Sequence, residues 1–277
     1  MDLGCWDFGG GFGFGWEYVY GYDSEDGNGN KDGNTNKQIK IGIGLQLTRT
    51  LLQRENTIVI ATKRALSTDS SELEGLSKAQ GSRLIIVTLA SDIGDGKEKE
   101  NTVDDLVERL KNEGVEKIDT LILNAGAATS FESVKETSVQ ELQAHFQINT
   151  VWPIRIYQVL RPLLLASSAS VSGEEKRIPK KVIYISSYLG SIGGMEDKTP
   201  SLAYGISKAA GNYFVRKLHF EEGSGVVCVA VHPGWVKTDN GQAFADSLGV
   251  KEPPMSLEES VSGVMRQMED GWDMREF

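Results

Sequence analysis

A chain of 277 residues, 39% of them hydrophobic, suits one large α/β domain and can bury a sizeable core. Its 29 Lys and Arg against 39 Asp and Glu give a formal charge of −10, which argues against nucleic acid as a partner, since a polyanion is held through clustered cations. Two cysteines, Cys5 and Cys228, exclude a disulfide framework and a cysteine-based zinc site.

No apolar run approaches the roughly 20 residues that a membrane helix needs, and the start lacks the basic and apolar regions of a signal peptide. The expectation is a cytoplasmic chain in a reducing compartment, with no membrane partner.

In chain order, residues 1–36 stand apart, and the domain proper is expected over 37–277. Residues 9–15 are rich in Gly and Phe, and 23–36 are almost entirely Asp, Asn, Gly, Ser and Lys. Such stretches bury too little apolar surface to offset their ordering entropy and are expected to be largely disordered. Between them Trp16-Glu17-Tyr18-Val19-Tyr20 alternates weakly, as a short strand does.

From Gly42 the pattern becomes regular. A helix is expected over 44–54, a buried strand over 57–62, a helix over 71–78 and a strand over 83–89. Thr102 should cap a helix running to Asn112. A strand over 120–123 ends in Asn124-Ala125-Gly126, and Ser138 with Glu141 forms a capping box. A helix over 149–165, a strand over 181–185, a helix over 204–220 and a strand over 226–231 follow. Ser256 and Glu259 open a last helix to Glu269. Short β-branched strands alternating with helices imply a doubly wound parallel sheet, with ligands beyond the carboxyl ends of its strands.

Two groups at those ends bear chemistry. Tyr204 and Lys208 lie at i and i+4 on one helical face. A tyrosine titrates at about 10; an adjacent ammonium stabilises the phenolate and makes the phenol a proton donor nearer neutrality. Alone, this spacing is common by chance. Ser186-Ser187 at the end of the 181–185 strand reads either as hydroxyl donors to a substrate carbonyl or as a strand-end cap.

Taken in order, Asn124-Ala125-Gly126, Ser186-Ser187, Tyr204-x-x-x-Lys208 and Pro233-Gly234 resemble the short-chain dehydrogenase/reductase family from Gly42 to about Glu269. The resemblance implies a single Rossmann-like α/β domain and an NADP(H)-dependent oxidoreductase that reduces a ketone. It makes Tyr204 the proton donor and has Lys208 lower its pKa and bond the nicotinamide ribose. Ser187 orients the carbonyl, and Asn149 holds a proton-relay water to Lys208. The interval from Ser187 to Tyr204 exceeds the family's usual one. The extra residues fall in 193–199, a substrate-facing loop by position, and Ser186 and Ser191 compete for the role of Ser187.

The same resemblance assigns cofactor contacts to Gly42, Ile43, Gly44, Asn124, Ala125, Gly126, Tyr204, Lys208, Pro233, Gly234, Val236 and Thr238. His232, in that last loop, reads as structural. After the second strand stand Thr62-Lys63-Arg64 with no acid, which suits a 2′-phosphate held by Arg64, hence NADP(H). His145 and His219 have no partners at ligand spacing, and no metal is expected. Within the family, residues 203–221 resemble norsolorinic acid ketoreductases of fungal secondary metabolism and sniffer-type carbonyl reductases. That implies a small-molecule substrate with a ketone on an aromatic polyketide. The family also implies a homo-oligomer through the Asn149 and Tyr204 helices.

The cofactor fingerprint departs from the family. Gly42-Ile43-Gly44 fits its end, but Lys37 and Gln38 fall where a threonine and the first glycine belong, and 30–36 are among the worst strand formers in the chain. Either 16–20 supplies the central strand across a long loop, or the amino-terminal segment is foreign to the family. The abruptness of the break favours the second. The family's final edge strand also has no counterpart in 271–276. On these grounds the rival to an enzyme is an inactive Rossmann scaffold or a defective chain.

Overall fold

The computed structural model describes residues 42–63, 68–89, 102–166, 180–195 and 199–269, with the backbone of 15–20. Its strands are β1 (Gly15–Tyr20), β2 (Thr57–Lys63), β3 (Arg83–Thr88), β4 (Thr120–Leu123), β5 (Lys180–Ile185) and β6 (Val226–Val231). They form one sheet, parallel throughout, in the order β3-β2-β1-β4-β5-β6. Reversal of strand order between β1 and β4 marks the crevice where such a sheet binds its ligands.

The α-helices among the described residues are α1 (Ile43–Leu51), α2 (Ser71–Glu74), α3 (Leu106–Asn112), α4 (Val139–Phe146), α5 (Trp152–Leu165), α6 (Leu202–Glu222), α7 (Asp239–Ser247) and α8 (Leu257–Glu269).

Alternation along the strands makes two cores. Leu121, Leu123, Val182 and Tyr184 pack with residues of α3, α5 and α6. Ile122, Ile183 and Ile185 point the other way, to Leu47 and Leu51 of α1 and Val261, Val264 and Met265 of α8. Strands buried on both faces explain why β4 and β5 read as nearly continuous apolar runs.

The centre of the sheet settles where the fold differs from the closest sequence expectation. Gly15–Tyr20 pairs with β2 on one side and β4 on the other, Tyr18 lying opposite Ile60 and Leu121. The central strand thus comes from the first of the two readings, not from the residues just before Gly42. Residues 1–14 and 21–41, including Cys5, Lys37 and Gln38, lie outside the described residues. Among the described residues β6 is the outermost strand on its side, and 270–277 lie outside them.

Three local expectations are corrected. The helix expected over 71–78 is only the single turn Ser71–Glu74, because Gly75 follows and Leu76 turns into the core. Thr102 does not cap α3: Val103 is 1% exposed and draws the chain inward first, so the helix starts at Leu106. The Thr102 carbonyl instead accepts a hydrogen bond from Arg109. Finally, α7 has no counterpart among the expected elements. It is held at its start by Thr238, whose hydroxyl accepts the Gly241 N–H at 3.1 Å.

Candidate active site

Helix α6 carries Tyr204 and Lys208 against the loop after β5, and small residues allow the approach. A Cβ on Gly190 would stand 2.7 Å from the Lys208 Cβ, and one on Gly205 would stand 2.9 Å from the Leu189 carbonyl oxygen. Lys208 is 3% exposed, and its Nζ donates to the Ile185 carbonyl at 2.8 Å. Burial pushes its pKa down to about 7. The ammonium lies 4.8 Å from the centroid of the Tyr184 ring and 5.8 Å from that of Tyr204.

The three candidate serines are engaged differently. Ser186 is buried and its hydroxyl donates to Asn212 Oδ1 at 2.5 Å. Ser191 accepts the Gly194 N–H at 3.0 Å. The Ser187 hydroxyl accepts the Leu189 N–H at 3.3 Å, and it is the serine that pulls the Tyr204 pKa down.

Tyr204 itself departs from expectation. Burial pushes its pKa up to about 12, with the Ser187 hydrogen bond pulling the other way. Lys208 is not among the groups that move the Tyr204 pKa, so the expected acidification by Lys208 is not a property of these side chains alone.

Asn149 was expected to open a helix; it lies instead in a π turn, Gln147–Val151, between α4 and α5. Such turns widen the helix and often mark functional positions. Its side chain is fully buried and fully used. Nδ2 donates to the Ala127 carbonyl and to Ser207 Oγ, both at 2.9 Å, while Oδ1 accepts the Ala127 N–H at 2.9 Å. This ties Asn124-Ala125-Gly126, on the loop after β4, to α6. A Cβ on Gly126 would lie 3.0 Å from Asn149 Oδ1 and 3.1 Å from Lys208 Nζ, so a side chain there would have to push both back by a few tenths of an ångström. The Asn149 carbonyl accepts the Tyr184 hydroxyl at 2.8 Å.

After β6, Pro233 and Gly234 turn the chain, Gly234 at φ +90 where a side chain is strained. The Pro233 carbonyl accepts the Ser260 hydroxyl at 2.6 Å. Val236 is 3% exposed and bridged to Met255, and Thr238 is engaged as the α7 cap. His232 Nδ1 accepts the Tyr188 N–H at 3.0 Å, a structural use. His145, buried, accepts the Thr129 N–H through Nε2 and faces the Glu141 carbonyl through Nδ1. Among the described residues no three His, Cys, Asp or Glu gather to hold a metal ion, and no helix is long and apolar enough to cross a membrane. Cys228 is a buried thiol pushed up to about 12 by its burial.

A row of rings, absent from the sequence reading, flanks the phenol. Phe131 stands 6.2 Å from Tyr204, Phe244 of α7 5.0 Å from Phe131, and Trp235 5.2 Å from Phe244, centroid to centroid. The signal for it was the Thr238-Asp239 helix start, which would have placed Phe244 on α7.

At the other end of the crevice, α1 begins at Gly42 with no acidic residue in its first turn and open space where a Gly42 Cβ would be. Thr62 Oγ1, at the carboxyl end of β2, is buried with no partner among the described residues. Arg64 lies outside them.

The sequence pattern of the short chain dehydrogenases matches residues 40–248. A norsolorinic acid ketoreductase of Aspergillus parasiticus is 33% identical over 81% of this chain and 78% of its own length. Among solved structures, the carbonyl reductase Sniffer of D. melanogaster superposes with a TM-score of 0.67 at 27% identity, covering 84% of this chain and 90% of that one. An NADPH-bound carbonyl reductase from chicken fatty liver gives 0.67 at 27%, covering 91% and 85%.

Proposed function

The chain belongs to the short chain dehydrogenase family, and from that premise we propose that it reduces the ketone of an aromatic polyketide with NADPH. The observation that carries the reading is the convergence of Ser187, Tyr204, Lys208 and Asn149 from three separate segments on one point at the sheet's carboxyl edge. Three polar side chains gathered around a half-buried phenol have no packing purpose that apolar residues would not serve better.

The residues fit the cofactor. An α1 N-terminus free of acid suits a pyrophosphate, the buried Thr62 hydroxyl, without a partner among the described residues, would be available to the cofactor, and Gly126 leaves room beside Lys208. Gly42, Ile43 and Gly44 would hold the phosphates. Asn124 to Gly126, Tyr204, Lys208, Pro233, Gly234, Val236 and Thr238 would hold the nicotinamide half, and Arg64 the 2′-phosphate. Bound NADPH supplies the hydride to the carbonyl carbon.

The chain's own groups do the rest. Ser187 and Tyr204 hydroxyls bond the carbonyl oxygen as charge grows on it. Tyr204 gives up its proton to that oxygen, and Lys208 in its ammonium form offsets the phenolate left behind. Phe131, Phe244 and Trp235 present ring faces and edges to a flat aromatic body. The exposed Ile206, Tyr213 and Phe220 along α6 support self-association through that helix, and the reading places the protein in the cytoplasm.

Titrating the folded chain with NADPH, followed by energy transfer from its tryptophans, tests the proposal. Binding together with ketone turnover is expected, and Tyr204→Phe should keep the binding and lose about 10²–10⁴-fold in turnover. A folded chain that ignores NADPH would sink it and leave the inactive scaffold.

A further inference from the structure

Lys208 is buried with no carboxylate partner among the described residues. Facing its Nζ are the Ile185 carbonyl at 2.8 Å and the Tyr184 ring from β5, the Tyr204 ring from its own helix, and Gly126 from the loop after β4. None of these is a carboxylate, and burial alone sets the direction in which the lysine titrates. An uncompensated buried ammonium discharges its proton unless something else favours the charge.

Tyr184 is built for that purpose. It is fully buried, and Lys208 Nζ stands over its ring at 4.8 Å from the centroid, within the range at which a ring quadrupole attracts a cation. The Tyr184 hydroxyl donates to the Asn149 carbonyl at 2.8 Å, which fixes the plane of the ring. Helix α6 makes room for it at Gly211, where a Cβ would meet the phenol ring at well under 3.0 Å. A tyrosine with those constraints costs more to place than the leucine or valine found at neighbouring core positions.

We propose that Tyr184 is a positioning residue for Lys208: its ring face takes the place of a counter-ion and holds the lysine charged and aimed at the site, while its hydroxyl anchors the ring to the π turn. This rests on Lys208 having the role given above, but its test need not involve turnover. In protein carrying ¹³C at the lysine Cε, the Lys208 signal, identified by its loss in Lys208→Met, is followed against pH.

In Tyr184→Phe the ring remains, and the midpoint should stay within about 0.3 units of wild type. In Tyr184→Leu it should fall by about one unit, the shift that a desolvated cation–ring contact sustains. Fluorinated phenylalanines at position 184 keep shape while draining the ring's negative face. They should lower the midpoint step by step from that of Tyr184→Phe, whether or not Tyr184→Leu folds. A midpoint indifferent to fluorination overturns the proposal, as does a fall in Tyr184→Phe as large as that in Tyr184→Leu. If the midpoint moves as expected but the alkaline limb of turnover does not follow it, the ring's hold on Lys208 stands and the catalytic role of Lys208 fails.

Discussion

Lys208→Met is expected to separate stability from activity. Lys208 titrates at about 7 in the folded chain against 10.5 when unperturbed, because burial opposes its charge. Between those values the unfolded state binds more protons, so stability rises with pH there. The cost of the charge is felt in full below the folded pKa and is gone above the unfolded one.

At about 1.36 kcal/mol per unit, the full cost is roughly 5 kcal/mol, and some 2 kcal/mol of it is relieved between pH 7 and 9. Denaturant unfolding of both proteins at the two pH values measures this. Wild type should gain about 2 kcal/mol on Lys208→Met over the interval. Cys228, whose thiol is pushed up to about 12, acts with the opposite sign above its ordinary range, but equally in both proteins. Parallel stabilities at pH 7 and 9 would refute a buried ammonium. Turnover should be lost in Lys208→Met in either case.

The paired serines should divide by role. Ser187→Ala is expected to lower kcat by about 10²–10³ and, because its hydroxyl caps the Leu189 N–H, to cost about 1 kcal/mol of stability. Ser186→Ala should keep most turnover and lose about 1–3 kcal/mol, since Asn212 Oδ1 is left unpaired; equal kinetic losses would undo the assignment of Ser187. Gly126→Ala should lower kcat at least tenfold, because its methyl group would crowd Asn149 Oδ1 and Lys208 Nζ at 3.0 and 3.1 Å. Unaltered kcat in that variant would mean the lysine has room to move.

Most of the fold was legible because its signals are local. Apolar strands two-sided in their burial, capping residues such as Ser138 and Ser256, and the alternation of β with α depend on neighbours a few positions apart. The motif residues were legible too, since one family spaces them in one order. The extent of α2 and the start of α3 were not, because the burial of Leu76 and Val103 overrode local helical preference. Nor was α7, whose Asp, Asn and Gly give weak periodicity and whose packing runs through Phe131 and Trp235.

By itself the sequence determined the family, the doubly wound topology and the identity of the groups around the phenol. Only the tertiary structure decided that Gly15–Tyr20 fills the centre of the sheet, because parallel pairing joins residues far apart and tolerates any length between them. It also turned the Ser186 hydroxyl to Asn212, a side-chain direction that one step along a chain reverses. And it set the charge of Lys208, since the cost of burying an ammonium depends on what surrounds it in space, here a tyrosine ring 24 positions earlier in the chain.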